Sequence, residues 1–133
     1  MKKNAVKCFC GAQATIRPAS VVHGSNARDE YLYVCSRYPK CDSYVGVHRG
    51  TRKPLGSLAD KKLRTTRIEA HREFNQVWLC GIMEKKQAYK WMQVTLGLSE
   101  EQAHIAKFSE FMCEQLIRIS KQALANNRER LAS

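Results

Sequence analysis

The sequence predicts an α+β protein in which a small, cysteine-bearing β module precedes a helical region. Three observations carry this. Four of the six cysteines, Cys8, Cys10, Cys35 and Cys41, fall in the first third of the chain among short β-rich runs. From Ser57 onward, apolar residues recur at helical spacing. Positive charge is concentrated in front: residues 1–67 hold 14 Lys or Arg against 4 Asp or Glu, and residues 68–133 hold 9 against 8. The 133 residues are 44% hydrophobic with only 7 Gly and 3 Pro, a composition that can bury a core and is neither disordered nor collagen-like. Residues 1–54 form the basic module and residues 55–133 the helical region, expected to make one compact unit with it.

The elements follow in order. Thr15-Ile16-Arg17 and Tyr31-Leu32-Tyr33-Val34 read as strands separated by the turn formers Gly24, Ser25, Asn26 and Asp29, and Tyr44-Val45-Gly46-Val47-His48 is a third candidate. Arg49-Gly50-Thr51-Arg52-Lys53-Pro54 is a basic connector ended by Leu55-Gly56. Ser57 with Asp60 three residues on predicts a capped helix start, and Gly81 its end. Along that helix Ala59, Leu63, Ala70, Phe74 and Trp78 make the apolar stripe, with Lys61, Arg64, Arg67, His71 and Arg72 on the other sides. A second helix is expected from Met83 to about Leu96, burying Ala88, Trp91 and Met92 and stopping near Gly97. Ser99 and Gln102 predict a capping box opening a further helix, broken at Ser109 and continued through Phe111, Leu116, Ile119 and Leu124. Asn126-Asn127 and the polar tail after them are expected to fray.

The cysteines sort into two groups. C-x-C at 8 and 10, a 24-residue gap, then C-x5-C at 35 and 41 is the pattern of a metal site in a reducing compartment, with paired disulfides as the alternative. Four thiolates suit tetrahedral Zn(II), and a closed four-cysteine shell is structural rather than catalytic. One Zn(II) per chain is therefore expected. The first pair is tighter than the usual C-x2-C, which leaves a histidine ligand open, with His23 and His48 nearest in sequence; the four-cysteine set is the preferred reading. Gly11 after Cys10 supports it, because a glycine beside a metal turn can take φ > 0 and aim backbone N–H groups at the sulfurs. Cys80 and Cys113 stand alone among apolar helix positions and are expected in the core.

No stretch approaches the roughly 18 apolar residues of a membrane span, and Met1-Lys2-Lys3-Asn4 leads into a cysteine motif rather than an apolar signal region, so a cytoplasmic protein is expected. A concentrated positive field attracts polyanions, and nucleic acid is the usual partner; a solubilising charge excess and an anionic membrane surface are weaker alternatives. Arg37, Tyr38, Lys40, Tyr44, Arg49, Arg52, Lys53, Lys61, Arg64 and Arg67 are the candidate contacts, the cations for phosphates and the rings for unpaired bases. Tyr31 and Tyr33 read as packing residues. The Leu96-Gly97-Leu98-Ser99 turn between helices superficially resembles a helix-turn-helix. Its second helix, however, would offer Glu100, Glu101, Gln102 and His104 with only Lys107 positive, which suits packing rather than phosphates. His48 and His71 have no carboxylate pair, nucleophile or phosphate loop beside them, so no catalytic residue is assigned and no enzyme is expected.

Tyr33-Val34-Cys35-Ser36-Arg37-Tyr38-Pro39-Lys40-Cys41 resembles the second knuckle of the zinc ribbons at the C-terminus of bacterial type I topoisomerases; Cys8-Phe9-Cys10-Gly11 departs from that pattern by one missing spacer. This resemblance implies a zinc ribbon of short β-hairpins, and the helical periodicity that follows gives the expected fold, the ribbon packed on or followed by a bundle of three to four helices. The resemblance also implies single-stranded DNA and RNA polymerase as partners. A wider stretch is similar to a family of zinc-finger-containing proteins of phages and bacteria. It covers Cys35 to Cys41, Val45 to Thr51, Pro54 to Asp60, Leu63-Arg64, Arg67, Ala70-His71, Leu96 to Ser99 and Ala103 to Phe108. That similarity brings a bacterial or phage setting and no established activity. The sequence thus supports two expectations: a nucleic-acid-binding zinc-ribbon protein acting on single-stranded DNA, duplex DNA or RNA in replication, recombination or transcription, or a module that docks on a host protein such as RNA polymerase or a nuclease.

Overall fold

The computed structural model describes residues 6–26 and 30–132. Asp29 and the Met1-Lys2-Lys3-Asn4 segment, both used above, lie outside the described residues. The fold is mixed α+β, and it divides into two compact units, Met1–Arg64 and Thr65–Ser133.

The first unit is built on a three-stranded antiparallel sheet in the order β1 (Ala14–Pro18), β2 (Tyr31–Cys35), β3 (Tyr44–Gly46). The register places Ala14 opposite Cys35 and Ile16 opposite Tyr33 on one side, and Tyr33 opposite Val45 on the other. Strand alternation sorts β2 onto two faces. Leu32 and Val34 are buried with Ala19 in a cluster that Val22, Tyr38 and Tyr44 cover. On the opposite face Cys35 joins Cys8, Val45 and Leu58, with Tyr33, Val6, Ala12, Ala14 and Cys41 packed around them. A short helix α1 (Ser20–His23) fills part of the β1–β2 connection.

Beyond β3 the chain returns on itself. His48 N–H donates to Lys53 O at 2.9 Å and Leu55 N–H to Gly46 O at 2.9 Å, so the basic connector is a hairpin that extends the sheet. Tyr44 and Ala59 then exchange backbone hydrogen bonds of 3.2 and 3.1 Å. This pairing holds the chain extended through Ala59 and moves the helix start. Helix α2 runs Lys61–Leu79, and its cap is Asp60, whose Oδ1 accepts from Leu63 N–H at 2.8 Å, rather than Ser57.

In the second unit α2 buries Ala70, Phe74 and Val77, with Trp78 only half-buried. Helix α3 (Lys85–Leu96) starts with Glu84 and Gln87 in a capping box and buries Ala88 and Met92, while Trp91 is half-buried. It ends at Gly97 in the left-handed region (φ 67°), where Leu98 N–H closes back onto Gln93 O at 2.8 Å. Tyr89 meets Phe74 edge to face at 4.9 Å between ring centres.

Two expectations for the C-terminal stretch are corrected. Ser99 and Gln102 do form the reciprocal pair, at 3.0 and 3.1 Å, yet they open only a turn. His104 is extended (φ −119°, ψ 118°), followed by a single 3₁₀ turn, Ile105–Lys107. The apolar residues explain it: Ala103, Ile105 and Phe108 are all buried, a spacing that no α-helical face can satisfy. Helix α4 then runs Glu110–Ala132 from a Ser109 cap that accepts from Met112 N–H at 3.2 Å. The helix therefore continues through Asn126-Asn127 instead of fraying there; Gln122 Nε2 donates to Asn126 Oδ1 at 3.0 Å across one turn. Its buried face is Cys113, Leu116, Ile119 and Ser120, with Leu124 half-buried; Phe111, two residues before Cys113 and so about 200° around the helix, is 66% exposed.

Candidate metal centre and basic surface

Two tight turns bring the cysteines together. In the first, Gly11 N–H donates to Cys8 O at 3.0 Å and Cys8 N–H to Ala12 O at 2.9 Å, placing Phe9 and Cys10 at the tip of a small hairpin. Gly11 closes it at φ 96°, a backbone region that side chains with a Cβ avoid. In the second, at the end of β2, Tyr38 N–H donates to Cys35 O at 2.9 Å and Arg37 N–H points at Cys35 Sγ at 3.5 Å. Ser36 N–H ties the two turns together through Gln13 O at 2.9 Å.

The result is a four-sulfur cluster. Cys8 and Cys41 Sγ are 3.6 Å apart, Cys10 and Cys35 Sγ are 3.6 Å apart, and all four sulfurs lie within 4.8 Å of one another. A tetrahedral shell with metal–sulfur bonds of about 2.3 Å has sulfur–sulfur edges of about 3.8 Å, so these spacings fit one tetrahedral ion. All are free thiols, far beyond disulfide length. The ligating group contains no histidine. His23 instead packs edge-on against Tyr44 at 5.3 Å, and His48 is exposed with its carbonyl in the hairpin.

The cluster is graded in environment. Cys8 and Cys35 are buried, Cys41 is half-buried and Cys10 is exposed. Burial pushes the Cys35 thiol up to about 12 and also raises Cys8, whereas the hydrogen bond with the Ser43 hydroxyl brings Cys41 down to about 7. Four thiolates packed this closely need a cation among them, and a divalent ion would supply that charge at the centre.

Of the other two cysteines, Cys113 is fully buried as expected, but Cys80 is exposed. It lies one residue beyond the end of α2, beside the 59% exposed Leu79, where the helix has turned its apolar stripe away.

The ten candidate contact residues divide sharply. Arg49, Arg52 and Lys53 are exposed on the hairpin beyond β3. That hairpin is fastened at three points: Thr51 Oγ1 donates to His48 O at 2.7 Å and accepts from Lys53 N–H at 3.1 Å, and the Tyr33 hydroxyl donates to Arg52 O at 2.6 Å. Arg52 also lies over the Tyr31 ring at 5.4 Å. Arg37 and Lys40 are exposed on the second cysteine turn, and Lys61 is exposed in the first turn of α2.

The remainder are engaged by the protein. Tyr38 packs on the Leu32–Val34 cluster, and Tyr44 is held between His23 and the Arg64 guanidinium, 4.1 Å above its ring. Arg64 donates to Asp42 O at 2.9 Å, Ala59 O at 2.6 Å and the Asp42 carboxylate at 3.2 Å. Arg67 belongs to the second unit, where its guanidinium donates to Phe108 O at 3.0 and 2.9 Å and burial lowers its pKa. These cations hold loops to helices. One exposed group escapes the sequence reading altogether: Phe9, 62% exposed between the first two cysteines. Its position inside a C-x-C turn, where both neighbours belong to the four-sulfur cluster, is the signal that could have found it.

Among the described residues, no helix is long and apolar enough to cross a membrane. The model of the DUF3268 zinc-finger-containing domain family matches residues 4–123. No curated protein and no solved structure matches the chain.

Proposed function

The chain belongs to the zinc-finger-containing domain family, and from that membership we propose that it is a non-enzymatic nucleic-acid-binding protein braced by one structural Zn(II). The observation that carries this reading is the fastened basic hairpin. Arg49, Arg52 and Lys53 stand exposed on a loop whose backbone is held by Thr51 and Tyr33. The first unit carries 13 Lys or Arg against 4 Asp or Glu, a net charge of +9, and the second 10 against 8, a net charge of +2. Lysine and arginine on such a loop bind phosphates by releasing condensed counterions, with the backbone already ordered and only side-chain freedom left to lose.

Cys8, Cys10, Cys35 and Cys41 would hold the ion, which supplies folding free energy to a sheet too small to bury a large core alone. The setting proposed is the cytoplasm of a bacterial cell or a phage-infected host, with the gene carried by a phage or prophage. The process served is replication, recombination or transcription.

Fluorescence-anisotropy titration of the zinc-loaded protein with single-stranded DNA, duplex DNA and RNA at two salt concentrations tests the reading. Binding that weakens steeply with salt, and is lost on charge reversal of Arg49, Arg52 and Lys53 together, is the expected result. Binding by that variant equal to wild type would remove the hairpin from the interface. Absence of binding at low salt would make the positive face a docking surface for a host protein such as RNA polymerase or a nuclease.

A further inference from the structure

We infer that Phe9 is a base-stacking platform, and that the nucleic acid this surface prefers is therefore an unpaired strand; the inference rests on the nucleic-acid reading above.

Phe9 is left out of the apolar cluster beside it. The apolar cluster beside the cysteines takes in Val6, Ala12 and Ala14 from the same hairpin, while the larger phenyl ring between them is left 62% exposed. Burying a phenylalanine contributes about 2 kcal/mol or more, which this ring largely forgoes. Its backbone is fixed: Phe9 sits between two cysteines of the four-sulfur cluster in a turn closed by two backbone hydrogen bonds, of 3.0 and 2.9 Å. A base landing on the ring would then have only side-chain freedom to order.

Its surroundings are cationic. Lys7 precedes the turn and is exposed, and the second cysteine turn, whose sulfurs share the same cluster, exposes Arg37 and Lys40. An exposed aromatic ring flanked by cations suits a strand whose phosphates run past the cations while one base turns onto the ring. Duplex offers such a ring no free base face. The tyrosines of this unit are less available: Tyr44 lies between His23 and Arg64, Tyr38 covers the Leu32–Val34 cluster, Tyr33 packs against the cysteine cluster, and Arg52 lies over the Tyr31 ring. Phe9 is thus the stacking group, and the hairpin cations supply charge.

The test uses the full-length, metal-loaded protein and three probes: oligothymidylate of about 12 nucleotides, an abasic deoxyribose-phosphate strand of the same length, and a duplex with the same number of phosphates. Wild type should bind oligothymidylate most tightly. Phe9→Ala should weaken that binding about tenfold, leave the abasic strand unchanged, keep the salt slope and retain one metal per chain; Phe9→Trp should restore it. Equal binding of oligothymidylate by wild type and Phe9→Ala, or equal affinity of wild type for the thymidylate and abasic strands, would overturn the platform while leaving the nucleic-acid reading intact. Loss of metal in Phe9→Ala would show a folding role instead and overturn it as well. No binding of any probe at low salt would overturn both, and would place Phe9 at a protein contact.

Discussion

The two units of this chain are packed differently. The second has an apolar interior of ordinary kind, in which Phe74, Val77, Met92, Cys113 and Leu116 are fully buried and the net charge is close to neutral. The first has two thin clusters, one on each face of a three-stranded sheet, and two of the four buried members of one cluster are cysteines. It also concentrates like charge, whose self-repulsion works against compactness. On the proposed reading, a module of this kind depends on the metal its four cysteines would hold, and its charge serves a partner, so that stability and function would be separated along the chain.

The sharpest way to break the comparison is to remove the metal. Cys35→Ser, or chelation, should forfeit roughly 10 kcal/mol of coupled folding free energy in the ribbon. Hydrogen exchange should then show β1 to β3 losing protection while the amides of α3 and α4 keep theirs; equal loss in both would refute separate sources of order. The converse variant is Leu116→Ala. Truncating this fully buried residue should cost about 3 kcal/mol in the helical unit and lower its melting temperature, with metal stoichiometry unchanged.

Smaller effects sharpen the division of cations. Neutralising Arg49, Arg52 and Lys53 to Gln, which weakens rather than abolishes binding, should reduce the slope of log affinity against log salt by about 2 to 3, each phosphate contact contributing about 0.7 on a single strand and about 0.9 on duplex. Thermal stability should stay near wild type, because the hairpin is fastened by Tyr33 and Thr51 rather than by these side chains. Arg64→Ala should do the opposite, since its guanidinium joins Asp42 and Ala59: a stability loss of about 1 to 2 kcal/mol with little change in salt slope. Asp60→Ala should cost about 1 kcal/mol by removing the α2 cap, where Ser57→Ala should cost less.

Which parts were legible in the sequence follows from how local each determinant is. The cysteine spacing announces the four-sulfur cluster because two short turns each contribute a pair of cysteines, and the end of α3 is readable from Gly97, whereas its Glu84–Gln87 cap starts it two residues after the expected Met83. Errors arose where long-range pairing overrode a local signal. Ser57 looks like a cap, yet Ala59 is committed to Tyr44, so the helix must wait for Asp60. Ser99 and Gln102 make their box, yet burial of Ala103, Ile105 and Phe108 unwinds what should follow. Arg64 and Arg67 look like phosphate contacts, but carbonyls 5 and 41 residues away in sequence take up their guanidinium groups. Spacing cannot distinguish a cation that reaches solvent from one that reaches a distant carbonyl.

The borders of the sheet have a consequence for self-association. A three-stranded sheet presents edges that can recruit a second copy strand by strand. Here β3 is covered by the backbone pairing of Tyr44 with Ala59 and by the Val47–Pro54 bridge, and β1 ends in Arg17 and a proline that has no N–H to offer. A ribbon so finished should resist edge-to-edge aggregation, with light scattering of the concentrated protein as the check.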